Sequence, residues 1–357
     1  MLDLPRAQVE FWSALEESLM IVFHRKLKGI IPYRLVYWPS EVALKELAND
    51  LPMTHYARVE SANVDLESGR CIVGHHLSLT LLINLQRPLS EIYKDLIDNA
   101  RIRIHKAEKL GSRLVVRRYG GGPDNDGLVP RFVDLYNDLV RGKASQAAPV
   151  SAAGEYSFFP HADLIMAYLD DQPICGHLNL VDREAGIVRL QHGANKRFDD
   201  AATARLAGIV NVYLHWHELE MYRQEGLATY DFGSIGQVDD SVGVNRFKMQ
   251  FGGTIIREHN YLLAGMPLVW SSAISLMSSV GSRWQRRLRV QRAGDQWRDM
   301  TPERIRETIE AAIDDYQNSP RPVNANGTPA AVRRPAQNAE YAPLRSNNKH
   351  GKASQHT

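Results

Sequence analysis

Over residues 164–263 the apolar residues recur first with a period of two, then of about 3.6, then of two again. This switch of period constrains the fold more than any other feature of the chain. Residues 164–169, 174–180 and 187–192 read as three strands. The turns Asp170-Asp171-Gln172-Pro173 and Asp182-Arg183-Glu184-Ala185-Gly186 make them an antiparallel meander. A long helix over 201–224 stops at Gly226. A strand at 227–232, a short helix at 244–251 and a closing strand at 254–263 complete the region. Strands interleaved with helices in this order define an α/β (α+β) chain built around a mixed sheet.

Upstream, Phe11, Trp12, Leu15, Leu19 and Val22 fall on one face of a predicted helix over 9–23, which Gly29 and Pro32 end. A strand at 33–37 and a helix at 42–47 capped by Ser40 follow. Two β-rich runs, 54–65 and 71–84, are joined by a turn at Glu67-Ser68-Gly69. The second becomes apolar on both faces towards its end, as a buried strand would. A helix is predicted over 90–110, with Ile92, Leu96, Ile97, Ala100, Ile104 and Ala107 as its buried stripe and Gly111 just past its end. Arg101, Arg103, His105, Lys106 and Lys109 occupy the rest of its circumference, either as a solvated basic face or as an anion-binding one. A strand at 113–118 leads to Gly120-Gly121-Gly122-Pro123-Asp124. With no helix directly after it and no Lys-Ser/Thr pair, this reads as a hinge rather than a phosphate cradle. A helix at 130–141 precedes an Ala, Ser and Gly-rich loop over 142–154 of the kind that serves as a lid.

Composition narrows the class. The 357 residues are 44% hydrophobic, with 43 Lys and Arg against 41 Asp and Glu, and a net charge of +2 gives no sign of DNA binding. Cys71 and Cys175 can form neither a disulfide framework nor a Cys-rich zinc site, and no metal is expected. The N-terminus does not read as a secretory signal, and residues 262–280 carry too many serines for a spanning helix, so a cytoplasmic protein is expected. A basic amphipathic stretch over 283–298 admits a tRNA or membrane-surface contact, or simply an exposed arginine-rich helix. A helix is predicted at 302–316. From Ser319 onwards the chain has almost no aliphatic residues and is expected to be disordered.

Two motifs carry a family likeness. Gly226-Leu227-Ala228-Thr229-Tyr230-Asp231-Phe232-Gly233 is followed by Val244-Asn245-Arg246-Phe247-Lys248-Met249-Gln250-Phe251-Gly252-Gly253. Upstream lies Asn99-Ala100-Arg101-Ile102-Arg103-Ile104-His105-Lys106-Ala107-Glu108-Lys109-Leu110-Gly111. Together they resemble the FemAB/FemX-like aminoacyltransferases of peptidoglycan cross-bridge synthesis and their BioF2-like acyltransferase relatives. The resemblance implies a GNAT-like fold, with helices on both faces of the sheet and a reduced first half before a full second half. The expected divisions are a reduced half at 1–112, a GNAT-like domain at 113–265, a basic helical extension at 266–318 and a disordered tail at 319–357. The implied activity is acyl or aminoacyl transfer that forms an amide on a cell-envelope or sugar-linked precursor. Aminoacyl-tRNA or acyl-CoA would be the co-substrate, with no bound cofactor. The alternatives are an acyl-CoA-dependent N-acetyltransferase and a non-catalytic precursor-binding module.

Acyl transfer to an amine passes through a tetrahedral oxyanion that a fixed cation can stabilise. The resemblance gives this role to Lys248. Asp231, at the end of a buried strand, is read either as capping the next turn or as catalytic. In the catalytic reading it orients Lys248 or Arg246, or accepts the amine proton. By strand alternation Tyr230 belongs to the core. Arg246, Arg101, Arg103 and Lys106 are candidate contacts to an anionic substrate, and His192 is the candidate for proton transfer and substrate binding. His215 and His217 diverge by about 200° on their helix and cannot share a metal. His75 and His76 point to opposite faces of their strand. Arg223-Gln224-Glu225-Gly226-Leu227-Ala228 matches the letters of a CoA pyrophosphate loop but leaves a helix instead of entering one. The proper position, Gly193 to Asp200, lacks the glycines, which favours an aminoacyl-tRNA or other donor over acetyl-CoA.

Overall fold

The computed structural model describes residues 20–27, 31–53, 55–62, 66, 72–120, 127–142, 149–159, 161–196, 200–235, 238–265 and 300–318. The meander is present as β6 (Ala162–Leu169), β7 (Gln172–Asp182) and β8 (Ile187–Asn195), and Asp170 and Asp171 both adopt positive φ in the turn between the first two. The preceding elements are β1 (Ile21–Leu27), β2 (Ile31–Tyr37), α1 (Glu41–Asp50), β3 (Tyr56–Ala62), β4 (Ile72–Asn84), α2 (Leu89–Asp95), α3 (Asp98–Glu108), β5 (Leu114–Gly120), α4 (Leu128–Gly142) and α5 (Ala152–Tyr156). The following ones are α6 (Ala201–Gln224), β9 (Thr229–Ile235), α7 (Val238–Met249), β10 (Thr254–Ala264) and α8 (Pro302–Asn318).

One mixed sheet of ten strands runs β1-β2-β3-β10-β4-β9-β8-β7-β6-β5. The last strand in the chain, β10, enters between β3 and β4 and pairs antiparallel with both, tying the N-terminal strands to the C-terminal ones. Alternation sorts the core into two layers. Leu79, Leu81 and Ile83 of β4 pack with Ile92 of α2, Ile104 of α3, Leu214 and Leu219 of α6 and Ile305 of α8. Leu82 of the same strand joins Leu164, Met166, Leu178 and Leu180 beneath Phe132, Val133 and Tyr136 of α4 on the opposite face. This is the α/β mixed sheet with helices on both faces that the resemblance implied.

Local predictions hold where a physical signal is strong. Ser40 caps α1 by accepting from the amide of Ala43, and Gly111 and Gly226 take positive φ behind their helices. Two predictions are corrected. The helix predicted over 9–23 does not extend through its last residues, because Ile21–Leu27 pairs antiparallel with β2 and buries Ile21 and Phe23 at a strand spacing; residues 1–19 lie outside the described set. The single helix predicted over 90–110 is two helices. Leu96 takes an extended backbone, and the amide of Ile97 bonds to the carbonyl of Gln250 (3.1 Å), leaving Ile97 half exposed instead of in the buried stripe. The hinge at 121–124, residues 143–148 of the predicted 142–154 loop, the basic stretch 283–298 and the tail from 319 fall outside the described residues, and the last residues of that loop, 152–154, are helical and belong to α5.

Candidate active site

The site arises where two parallel strands part. β8 and β9 pair in parallel only through Ile187, Val188 and Arg189 against Thr229, Tyr230 and Asp231. Beyond that point the strands diverge, and a cavity of about 450 Å³ opens between Leu190–Gly193 and Phe232–Ser234. Tyr37 of β2, Arg58 and Glu60 of β3, Tyr136 of α4 and Lys248 of α7 complete its wall, so the N-terminal strands contribute directly to it.

Lys248 is fixed at this wall. Its Nζ donates to the carbonyls of Gly233 (3.1 Å) and Ser234 (2.8 Å), and a third N–H has no partner among the described residues. Gly233 adopts φ +71°, which turns the chain where a Cβ would stand 3.3 Å from the carbonyl oxygen of Leu190. Burial pulls the Lys248 ammonium down to about 8; Asp231 and Glu258 oppose the shift and Arg189 adds to it.

Asp231 lies under this arrangement and not in the cavity wall. Its Oδ1 accepts from the Gly233 amide (2.7 Å) and the Thr80 hydroxyl, and its Oδ2 accepts from Arg189 (2.8 Å). It therefore fixes the backbone of Gly233, whose own carbonyl, in the next peptide, holds Lys248, and so orients the lysine without touching it. Arg189 also makes a two-pronged contact to Glu258 (3.0 and 3.2 Å) and reaches the Ser61 hydroxyl. Burial would raise Glu258, but the better-matched guanidinium outweighs it and holds the carboxylate low. For Asp231, burial dominates over Arg189 and the shift is upward.

A second buried network forms the cavity floor. Glu218 accepts from Tyr230 (2.6 Å) and meets Nδ1 of His177 (2.8 Å). Tyr230 also meets Nδ1 of His215 (3.0 Å), and Nε2 of His177 lies 3.1 Å from Oδ1 of Asn211. Tyr230 is core, as alternation implied. His177, His215 and Glu218 each bring a donor atom within 4.8 Å of the others, a spacing that could hold a cation, but here His177 Nδ1 bonds to Glu218 and His215 Nδ1 to Tyr230. Histidine pairs elsewhere follow the geometry of their elements: His217 lies against Tyr213, and His75 stacks on His259.

Of the residues singled out from sequence, Lys248 and His192 share the cavity, with Asp231 directly behind it. Arg246 is exposed on α7 and does not line the cavity. Arg101, Arg103 and Lys106 sit on α3, where Arg101 pairs with Asp98 and donates to the carbonyl of Lys94 (3.0 Å). None of the three reaches the cavity. Sequence reasoning missed Arg189, Glu258, His177, Glu218 and Glu155. A charged residue inside the apolar run Ile187-Val188-Arg189-Leu190 was the available signal for the first.

Residues 97–249 match the family model of the GNAT acetyltransferase domain. Among solved structures the chain is similar to FemX, with 13% identity, 69% of this chain and 85% of that one covered, and a TM-score of 0.47. It is similar to L-PGS from Bacillus licheniformis, with 9% identity, coverages of 73% and 92%, and a TM-score of 0.41. It is also similar to a GCN5-related N-acetyltransferase from Kribbella flavida, with 14% identity, coverages of 72% and 94%, and a TM-score of 0.34. No curated protein matches the sequence. The matched stretch, residues 97–249, contains the splayed strands and Lys248, and the match supports an acyltransferase. Among the described residues, no helix is long and apolar enough to cross a membrane.

Proposed function

We propose that this acyltransferase forms an amide on a cell-envelope or polysaccharide-linked precursor, with Lys248 stabilising the tetrahedral intermediate. The observation that carries the reading is the lysine itself. Two backbone carbonyls hold it at the wall of a cavity of small-molecule size, and one N–H remains for an oxyanion. Asp231 acts as a positioning residue through the Gly233 backbone. The precursor class comes from the FemAB-like motifs at 226–233 and 244–253.

For the donor, the N-terminus of α6 supports aminoacyl-tRNA. Asp200 accepts from the amides of Ala202 (2.8 Å) and Thr203 (3.0 Å), so a carboxylate already occupies donors that a CoA pyrophosphate would use. The GNAT domain match favours a second reading, an acyl-CoA donor. The stretch 283–298, outside the described residues, is proposed as a tRNA or membrane-surface contact, to be tested by truncation at Gly281. Calorimetric titration with acetyl-CoA and, in parallel, with a mixed aminoacyl-tRNA pool separates the readings. Tight tRNA binding without a CoA signal is expected. Saturable CoA binding alone would replace the aminoacyl donor, and binding of an envelope precursor without turnover from either donor would leave a non-catalytic module.

A further inference from the structure

The ring of His192 separates the cavity from a buried carboxyl group. His192 lines the cavity from β8 with the ring of Tyr136 packed on it, centroids 4.9 Å apart. Its Nε2 lies 3.6 Å from Oε2 of Glu155, close but short of a hydrogen bond. Glu155 sits in α5, a short helix that Ser151 caps, and is 3% exposed; its Oε2 has no hydrogen-bond partner among the described residues. A buried carboxyl oxygen without a donor is costly, and neither the GNAT fold nor the Lys248 arrangement requires one there.

We propose that Glu155 and His192 form the proton-accepting pair of the acyl transfer: His192 takes the proton of the attacking amine, and Glu155 orients the ring and holds that proton behind it. The proposal rests on the acyltransferase reading. In the step, the amine nitrogen bonds to the acyl carbon and its N–H electron pair stays on nitrogen as the proton passes to the pair. The bond from the acyl carbon to the donor's oxygen or sulfur then breaks with its electrons on that atom, and the same proton returns to neutralise it. Lys248 balances the oxyanion in between from the β9 side of the cavity.

The electrostatics agree with this geometry. Burial pushes the Glu155 carboxyl up to about 7, with Arg25 opposing, and pulls the His192 imidazole down to about 4, with Arg25 adding to the effect. Both shifts favour the uncharged forms, so contact at 3.6 Å is not a standing ion pair near neutrality. Among the described residues, Arg25 from β1 and Tyr136 from α4 are the charged or titratable groups that act on the pair. Arg25 is occupied with the carbonyl of Gly154 (3.2 Å) and the Ser157 hydroxyl (2.6 Å). Between about pH 4 and pH 7 the pair holds one proton, on Glu155; above that window the pair is empty and can act as a base.

The test uses the full chain as wild type, Glu155→Gln and His192→Gln. Diethyl pyrocarbonate acylates unprotonated imidazole, so peptide mass mapping of His192 from pH 5 to 9 needs no substrate. His192 is expected to react already at pH 5, with a several-fold rise in rate through pH 7 that is absent in Glu155→Gln. With the donor identified by titration, both variants are expected to lose about 10²- to 10⁴-fold in kcat with little change in donor KM, and to lose the ascending limb of the pH profile. A rise in His192 reactivity that persists in Glu155→Gln, or a wild-type kcat in either variant, overturns the proposal. His192 reactivity as expected with no transfer from any donor overturns the acyltransferase reading and leaves the proton-sharing pair intact. Should Glu155→Gln not fold, the His192→Gln kinetics decide alone.

Discussion

Replacing Arg189 with methionine removes the guanidinium that bonds two buried carboxylates. The side chains of Asp231 and Glu258 are 2% and 1% exposed, and in the variant each faces the other without a guanidinium. One of them must then stay protonated. Doing so at pH 7 costs about 1.4 kcal/mol for each of the roughly three units separating pH 7 from an ordinary carboxyl pKa, or about 4 kcal/mol. This agrees with the roughly 3–5 kcal/mol typical of breaking a buried pair. At about 2–4 °C per kcal/mol, Tm should fall by roughly 8–16 °C at pH 7.5. The pH dependence has a defined sign. In the wild type Glu258 is held low, so it contributes stability above the unfolded carboxyl pKa that is lost as pH falls. In the variant the carboxyls are raised, and their stability is present at low pH and lost as pH rises. The gap must therefore narrow between pH 7.5 and pH 5. Thermal unfolding followed by circular dichroism at both pH values checks this. A fall of less than about 3 °C at pH 7.5, or a gap that widens in acid, would refute the assignment of Arg189 as the keystone of the cluster.

Three further outcomes follow from the same structure. Asp200→Ala frees the amides of Ala202 and Thr203 and should strengthen CoA binding by more than about threefold in calorimetry; unchanged or weaker binding would mean this carboxylate does not exclude pyrophosphate. Gly253→Ala places a Cβ 2.5 Å from the carbonyl oxygen of Leu82 at φ +86° and should cost more than about 2 kcal/mol in urea unfolding, whereas a wild-type midpoint would contradict the crossing geometry. Because the Lys248 ammonium titrates near 8 and acts in its charged form, turnover should decline as pH rises past 8. A profile flat to pH 10 would remove the charge from the mechanism.

The sequence made the second half of the sheet readable because its strands, turns and long helix each satisfy a local rule: alternation over 164–192, paired aspartates in a turn, and a glycine behind α6. The strand at Ile21–Leu27 was hidden because its apolar residues also fit a helical period, and only pairing with β2 decides between the two. The break at Leu96–Ile97 depends on a bond to Gln250, more than 150 residues away, which no local pattern contains. The site divides in the same way. Lys248 was reached through the motif around it. Arg189, Glu218 and Glu155 become chemically meaningful only once the sheet order brings β8, β9, β10, α5 and α6 together. The motif's paired glycines, Gly252 and Gly253, now have a structural cause, since both take positive φ where the chain passes close to Asp95 and Leu82.

The central claim is that Lys248 supplies the charge that stabilises the intermediate without contributing to donor affinity. Single-turnover transfer and donor Kd, measured side by side for wild type and Lys248→Ala with the donor identified by titration, test it most directly. The account predicts a loss of about 10²- to 10³-fold in rate with Kd within about threefold, the signature of a group that acts only on the transition state. Full transfer by Lys248→Ala, or a loss confined to donor binding, would contradict it.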